Sequence, residues 1–164
     1  DSKYFFTKSG YNFLPSEISA AFGLEQLSKL NDRLKKRKRN FNFLKNYLKK
    51  NHNNHFILPS QQKGTNSGWL AFPIVLKARV KNLRNDFQKF LEKRNIQTRV
   101  IFSGDVTKQP FMKNEKYILK KGINKNANFI MQNGILIGCH QLLKLSELKY
   151  ICNSITQYIK KNFE

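Results

Sequence analysis

The chain has 164 residues, 40% of them apolar, which is enough for a domain with a core of ordinary density. Its formal charge of +21, from 31 Lys and Arg against 10 Asp and Glu, points towards polyanions without defining a fold. Two cysteines exclude a disulfide framework and a cysteine metal cage, and neither a bilayer-length apolar stretch nor a signal pattern is visible, so a reducing, cytoplasmic setting without membrane is expected.

The charge accompanies Asn and Ile, in runs such as "KNHNNHF" and "KKGINKNANFI", and is spread along the chain. The chain opens on Asp1 and has methionine only at Met112 and Met131, as expected of a piece of something longer.

In "GYNFLPSEISAAFGLEQLSKL" a loop leads into a helix. Pro15 suits the first turn, where its missing N–H costs nothing, and Glu17 faces the positive end of the helix dipole. Ile18, Ala21, Leu24, Leu27, Leu30 and Leu34 recur at three- and four-residue steps. The stripe loses register at Arg37–Arg39 and resumes with Phe41, Leu44 and Leu48, which predicts one long bent helix or two helices with a break nearby. Asn51, Asn53 and Asn54 end it.

"WLAFPIVL", Trp69–Leu76, has the bulky and β-branched residues of a strand, with Pro73 at an edge or a bulge. Helical spacing returns over Asn82–Arg94. "IQTRVIF", Ile96–Phe102, alternates as a strand, with Ile96, Thr98, Val100 and Phe102 on one face. The loop "SGDVTKQP" and a weakly patterned segment follow, then a strand Gly134–Cys139. A closing helix begins near Ser146 and carries Leu148, Ile151, Ile155 and Ile159. The expected fold class is α/β (α+β): a long N-terminal helix, then a small, mostly antiparallel sheet with helices packed on it.

The basic helix "RLKKRKRNFNFLKNYLKK" either lies along a phosphate backbone or packs through its apolar stripe and leaves a solvated basic face. No helix-turn-helix, zinc-finger or aromatic RNA-binding motif accompanies it, so nucleic acid is not the expected partner. Cys139 and His140 are neighbours, but on a persisting strand they point to opposite faces and cannot act as a nucleophile pair. Cys139 reads as structural and buried, and His140 is a site candidate. His52 and His55, in an Asn-rich turn, read as surface residues.

Arg99, with Ser103, Gly104, Asp105 and Gln109 in the loop after it, forms a second candidate. A planar guanidinium beside a Gly-containing turn can bind a diphosphate or carboxylate in a forked geometry. These residues fit a surface ion pair beside a turn equally well. Metal-ligand spacing, a phosphate-cradling Gly-rich loop and paired catalytic carboxylates are lacking.

Taken together, "GYNFLPSEISAAFGLEQLSKL", "GWLAFPIVL", "NIQTRVIFSGDVTKQP" and "NFIMQNGILIGCH" resemble, in order and spacing, the C-terminal part of the DegT/DnrJ/StrS-type sugar aminotransferases. The "TR..F.G" loop and the "NG.LIGCH" strand look most like the CDP-4-dehydro-6-deoxyglucose 3-dehydratase branch of lipopolysaccharide and O-antigen synthesis. The resemblance covers nearly all of this chain but less than half of a typical member. It implies a fold type I architecture with pyridoxal 5'-phosphate or its pyridoxamine form as cofactor, and a nucleotide-sugar substrate.

It further implies a homodimer in which the loop 1–14 brings Asn12 to the cofactor phosphate held by the other subunit. The helix over 15–50 would join a large cofactor domain to a small domain, 51–164. Arg99, Ser103, Gly104, Asp105, Gln109 and His140 match substrate-side positions. Leu14 replaces a usual basic residue, and Asp105 replaces a usual Asn and would meet a sugar hydroxyl in place of a diphosphate. The catalytic base, a Lys in aminotransferases or a His in dehydratases, is expected outside this chain.

Overall fold

The structure is a computed structural model that describes residues 7–11, 13–77, 83–116 and 124–163. The chain divides into two compact units, Asp1–Arg33 and Leu34–Glu164.

The first unit contains helix α1, Glu17–Ser28, entered through Ser16 in an extended conformation. Pro15 therefore precedes the helix and does not occupy its first turn. None of the α1 residues is buried; Ile18 and Phe22 are 83% and 69% exposed. The helix closes at Lys29, whose backbone N–H turns back to the Gln26 and Leu27 carbonyls.

Helix α2, Leu30–His52, starts there and runs unbroken through Arg37–Arg39, so the break lies about two turns earlier than the apolar stripe predicts. The missing apolar positions are filled inward by polar groups with partners. Arg37 donates to Gln141 Oε1 at 2.8 Å, and the fully buried Asn40 donates to the His140 carbonyl at 2.7 Å. Phe41, Leu44 and Leu48 continue the buried face.

His52, at the end of α2, is buried, and its Nε2 lies 2.7 Å from Thr156 Oγ1. His55 is half-buried, its ring 5.1 Å from that of Phe163. The surface expectation for both histidines fails because the chain turns under the last helix here, and imidazole carries enough apolar area to pack there.

The sheet has the order β1-β2-β4-β3, every pair antiparallel, with β1 Phe56–Ile57, β2 Ala71–Leu76, β3 Thr98–Val100 and β4 Gly134–Gly138. Strand β1, two residues long, is too short for alternation to reveal. It pairs with β2 only at Val75 and Leu76, so Pro73, opposite Leu136, lies where the outer side of β2 has no neighbour and an N–H is not required. Strand β3 is shorter than expected: Ile96 and Thr98 face inward, but Val100 is exposed and Phe102, at φ 46°, has left the strand.

Phe72, Ile74 and Leu76 of β2 and Ile135 and Ile137 of β4 form one buried face. It joins a single apolar cluster with α2, with α3 (Leu83–Glu92, through Leu83, Phe87 and Leu91) and with α5 (Leu145–Phe163, through Leu148, Ile151, Ile155 and Ile159). Rings of Phe56, Phe87 and Tyr158 run through its middle, with centroids 5.9 Å and 4.7 Å apart. The weakly patterned segment before β4 holds helix α4, Lys125–Asn133, whose Met131 carbonyl accepts from Arg84 Nη1 at 2.6 Å.

Candidate functional site

Asn12 lies outside the described residues. Its neighbours Tyr11 and Phe13 are 86% and 85% exposed, their rings 5.5 Å apart.

The loop after β3 is tightly built. Gly104 has φ +63°, a left-handed conformation that glycine adopts without a Cβ penalty, and a Cβ there would stand 2.3 Å from Met131 Cβ. Asp105 is buried, and its Oδ1 accepts from Thr107 N at 3.2 Å and Thr107 Oγ1 at 2.6 Å, capping a 3₁₀ turn over Val106–Lys108. Asn124 adds a third donor to the same oxygen at 3.3 Å.

Asp105, expected on the substrate side, is thus engaged through Oδ1 within its own loop, where a short acid closes the turn. Gln109 donates to the Ser103 carbonyl at 3.3 Å, tying the two ends of the loop. Arg99 is exposed on β3 opposite Leu136, on the side away from buried Thr98.

Phe102, 88% exposed with φ 46°, is a residue that sequence reasoning placed on the strand. A non-glycine in this conformation, with its ring in solvent, is strained. The Ser103–Gly104 turn signal that follows it was the available sign that the strand ends there.

His140 is elsewhere. Since Val100 pairs with Ile135 and Thr98 with Ile137, the loop and His140 leave the sheet at opposite ends of β4. At ~3.3 Å per residue they stand on the order of 20 Å apart. The six residues expected on the substrate side thus fall at two separate places along the sheet.

The His140 end is pinned on three sides. Cys139, fully buried, donates from Sγ to the Trp69 carbonyl at 3.2 Å, and burial pushes its thiol up to about 12 against the opposing pull of Arg37. The Trp69 ring stacks on Phe41 at 4.0 Å. The His140 carbonyl accepts from Asn40 Nδ2, and His140 Nδ1 accepts from the Leu142 N–H at 3.3 Å. Arg39 donates through Nε and Nη2 to Asn40 Oδ1 at 3.2 and 3.1 Å, which fixes which way the Asn40 amide faces.

A pyridoxal phosphate site needs an amine or imidazole at the cofactor's C4′ atom, shielded from water. Among the described residues no lysine is buried, and buried His52 is bonded within the helical core. These residues do not enclose the cofactor by themselves, and no chemical step is assigned to them. Among them there is also no His, Cys, Asp and Glu cluster fit for a metal, and no helix long and apolar enough to cross a membrane.

This helix-covered antiparallel sheet is the architecture found in the corresponding part of pyridoxal-phosphate-dependent sugar dehydratases and aminotransferases. The chain belongs to the DegT/DnrJ/EryC1/StrS aminotransferase family, whose pattern it matches over residues 1–156. It is 32% identical over 163 residues to the lipopolysaccharide biosynthesis protein RfbH of Salmonella typhimurium, covering 99% of this chain and 37% of that protein.

Escherichia coli GDP-4-keto-6-deoxy-D-mannose-3-dehydratase, solved with bound hydrated pyridoxal phosphate, superposes with a TM-score of 0.77 at 27% identity, over 93% of this chain and 38% of that one. The Helicobacter pylori aminotransferase PseC shares the fold, with a TM-score of 0.79 at 22% identity over 94% of this chain and 40% of that one. The chain thus spans a little over a third of the length of these relatives.

Proposed function

We propose that this chain forms the small domain of a pyridoxal-phosphate-dependent 3-dehydratase acting on a nucleotide-linked 4-keto-6-deoxysugar, in deoxysugar synthesis for lipopolysaccharide. The observation that carries the reading is the 32% identity to RfbH across 99% of the chain. The likeness to the E. coli dehydratase supports it.

In this reading Arg99, Ser103 and Gln109 meet one part of the substrate and His140 another, as their separation along β4 requires for a ligand as long as a nucleotide sugar. Asn12 reaches the cofactor phosphate of a second subunit in a homodimer. The cofactor supplies the electron sink when bound. The base that moves the proton is assigned outside this chain.

The test reads the coding DNA upstream of Asp1 and assays the polypeptide it encodes together with this chain, with pyridoxal phosphate, glutamate and a CDP- or GDP-linked 4-keto-6-deoxysugar. Loss of the C3 hydroxyl, with a His at the cofactor-loop position, is the expected result. An amino sugar as product, with a Lys at that position, makes the protein an aminotransferase. A 164-residue chain that turns over the sugar unaided overturns the division of labour.

A further inference from the structure

We infer that the outward face of α2 is an interaction surface for the phosphate backbone of a nucleic-acid duplex, bound without regard to base sequence. The inference goes beyond the enzymatic reading and rests on the charge and exposure of one helix face.

Buried Asn40, Phe41, Leu44 and Leu48 fix which side of α2 meets the core. Successive residues turn by about 100°, so Lys35, Lys38, Arg39, Lys49 and Lys50 fall within about 120° of arc on the opposite side. All five are exposed, and exposed Asn42 and Asn46 fill the middle of the same arc. From Lys35 to Lys50 the row is about 22 Å long. The basic helix therefore packs through its apolar stripe and still presents a cationic face, so the two readings of its sequence are compatible. The missing helix-turn-helix, zinc-finger and aromatic motifs serve base readout, which backbone binding does not use.

The charge of the row is not neutralised from within the helix. Asp32 lies in the first turn of α2, N-terminal to the row, and the next acid in the sequence is Asp86. Among the described residues no ion pair engages any of these cations, and the Arg39 guanidinium donates to a neutral acceptor, Asn40 Oδ1. Like charges on adjacent turns repel, and a polyanion relieves that repulsion while releasing its own counterions.

The composition of the face selects the partner. From Lys35 to Lys50 the outward arc holds neither an aromatic nor an aliphatic residue. A single strand is held by bases stacked on aromatic rings, and stable anchoring to a membrane takes a second, apolar signal beside a basic patch. A duplex needs neither, since phosphate contacts from Lys, Arg and Asn supply its sequence-independent binding.

The test follows the fluorescence anisotropy of short labelled DNA duplexes of two unrelated sequences as the 164-residue chain is added, over a series of salt concentrations. Both sequences should bind equally. The logarithm of the binding constant should fall against that of salt with a slope of about −4, as a phosphate contact from each cation of the row requires.

Lys38→Gln with Lys49→Gln should make the slope shallower by about 2 and weaken binding by about tenfold or more at ~0.1 M salt. Both side chains are exposed and glutamine keeps the helix propensity of lysine, so the urea midpoint should not move. Lys89→Gln with Lys113→Gln removes the same charge from exposed positions on α3 and in the turns after β3, and should leave the slope as it is. An equal loss in that second pair would trace binding to net charge alone and overturn the surface. A slope shallower than about −2, or tighter binding to phosphatidylglycerol vesicles than to the duplex at the same salt, would overturn it too. Turnover of the keto-sugar judges the enzymatic reading separately, so either can fail alone.

Discussion

The Asn40 side-chain amide donates to the His140 backbone carbonyl across 2.7 Å and 100 residues of sequence, which ties the middle of α2 to the turn that follows β4. Asn40 is fully buried and both ends of its amide are used, so truncation leaves an unpaired carbonyl, an unpaired Arg39 contact and a cavity. Asn40→Ala should destabilise the chain by about 2–3 kcal/mol, measured by urea unfolding. A change within experimental error would show that the turn stands without the helix.

Gly104 faces a second strict requirement. Its positive φ, and the 2.3 Å that would separate an added Cβ from Met131, leave an alanine both strained and overpacked. Gly104→Ala should cost about 3 kcal/mol and disturb the backbone signals of α4 around Met131. Unaltered α4 signals would mean that the loop gives way instead.

Asp105→Ala removes the cap of the 3₁₀ turn and should cost about 1 kcal/mol, with faster hydrogen exchange at the Thr107 amide. Asp105→Asn keeps an acceptor oxygen and should retain the Thr107 protection.

Stability should fall at alkaline pH. Burial raises Cys139 and Cys152 from 9.0 to about 12, and burial, with Asp86 nearby, raises Tyr158 from 10.0 to about 12. All three are neutral in the folded chain while the unfolded chain ionises. Their contribution is complete below pH 9 and is lost as pH rises from there to about 12. Denaturation midpoints measured from about pH 8 to 11 should decline, and Cys139→Ser with Cys152→Ser should flatten the part of the slope due to the thiols.

Helix α1 leaves Ile18, Phe22, Leu24 and Leu27 between 63% and 83% exposed. Contiguous apolar area of this kind drives association. The purified chain should bind a hydrophobic dye and self-associate, and Phe22→Lys with Leu27→Lys should reduce both, as read by light scattering.

Several elements were legible in the residues alone. Helix α5, strands β2 and β4 and the inward face of α2 beyond Phe41 carry their apolar periods openly, and Cys139 was recognisable as a buried thiol. Helix α4 was not, because "KNANFIMQN" is rich in Asn and weak in helix propensity, and tertiary bonds such as Arg84 to Met131 hold it. The continuity of α2 through Arg37–Arg39 was hidden for a related reason: polar side chains face inward there, and only their partners make that tolerable.

The sequence by itself determined the family, the class of fold and the candidate residues, because local periodicity and ordered motifs are properties of neighbours along the chain. Only the tertiary structure decided that Asp105 turns inward, that His52 is buried, and that the Ser103–Gln109 loop, which follows β3, and His140, which follows β4, lie at opposite ends of β4. Those outcomes depend on which distant groups meet. A buried carboxylate or imidazole is stable only where donors and packing from elsewhere in the chain arrive to meet it.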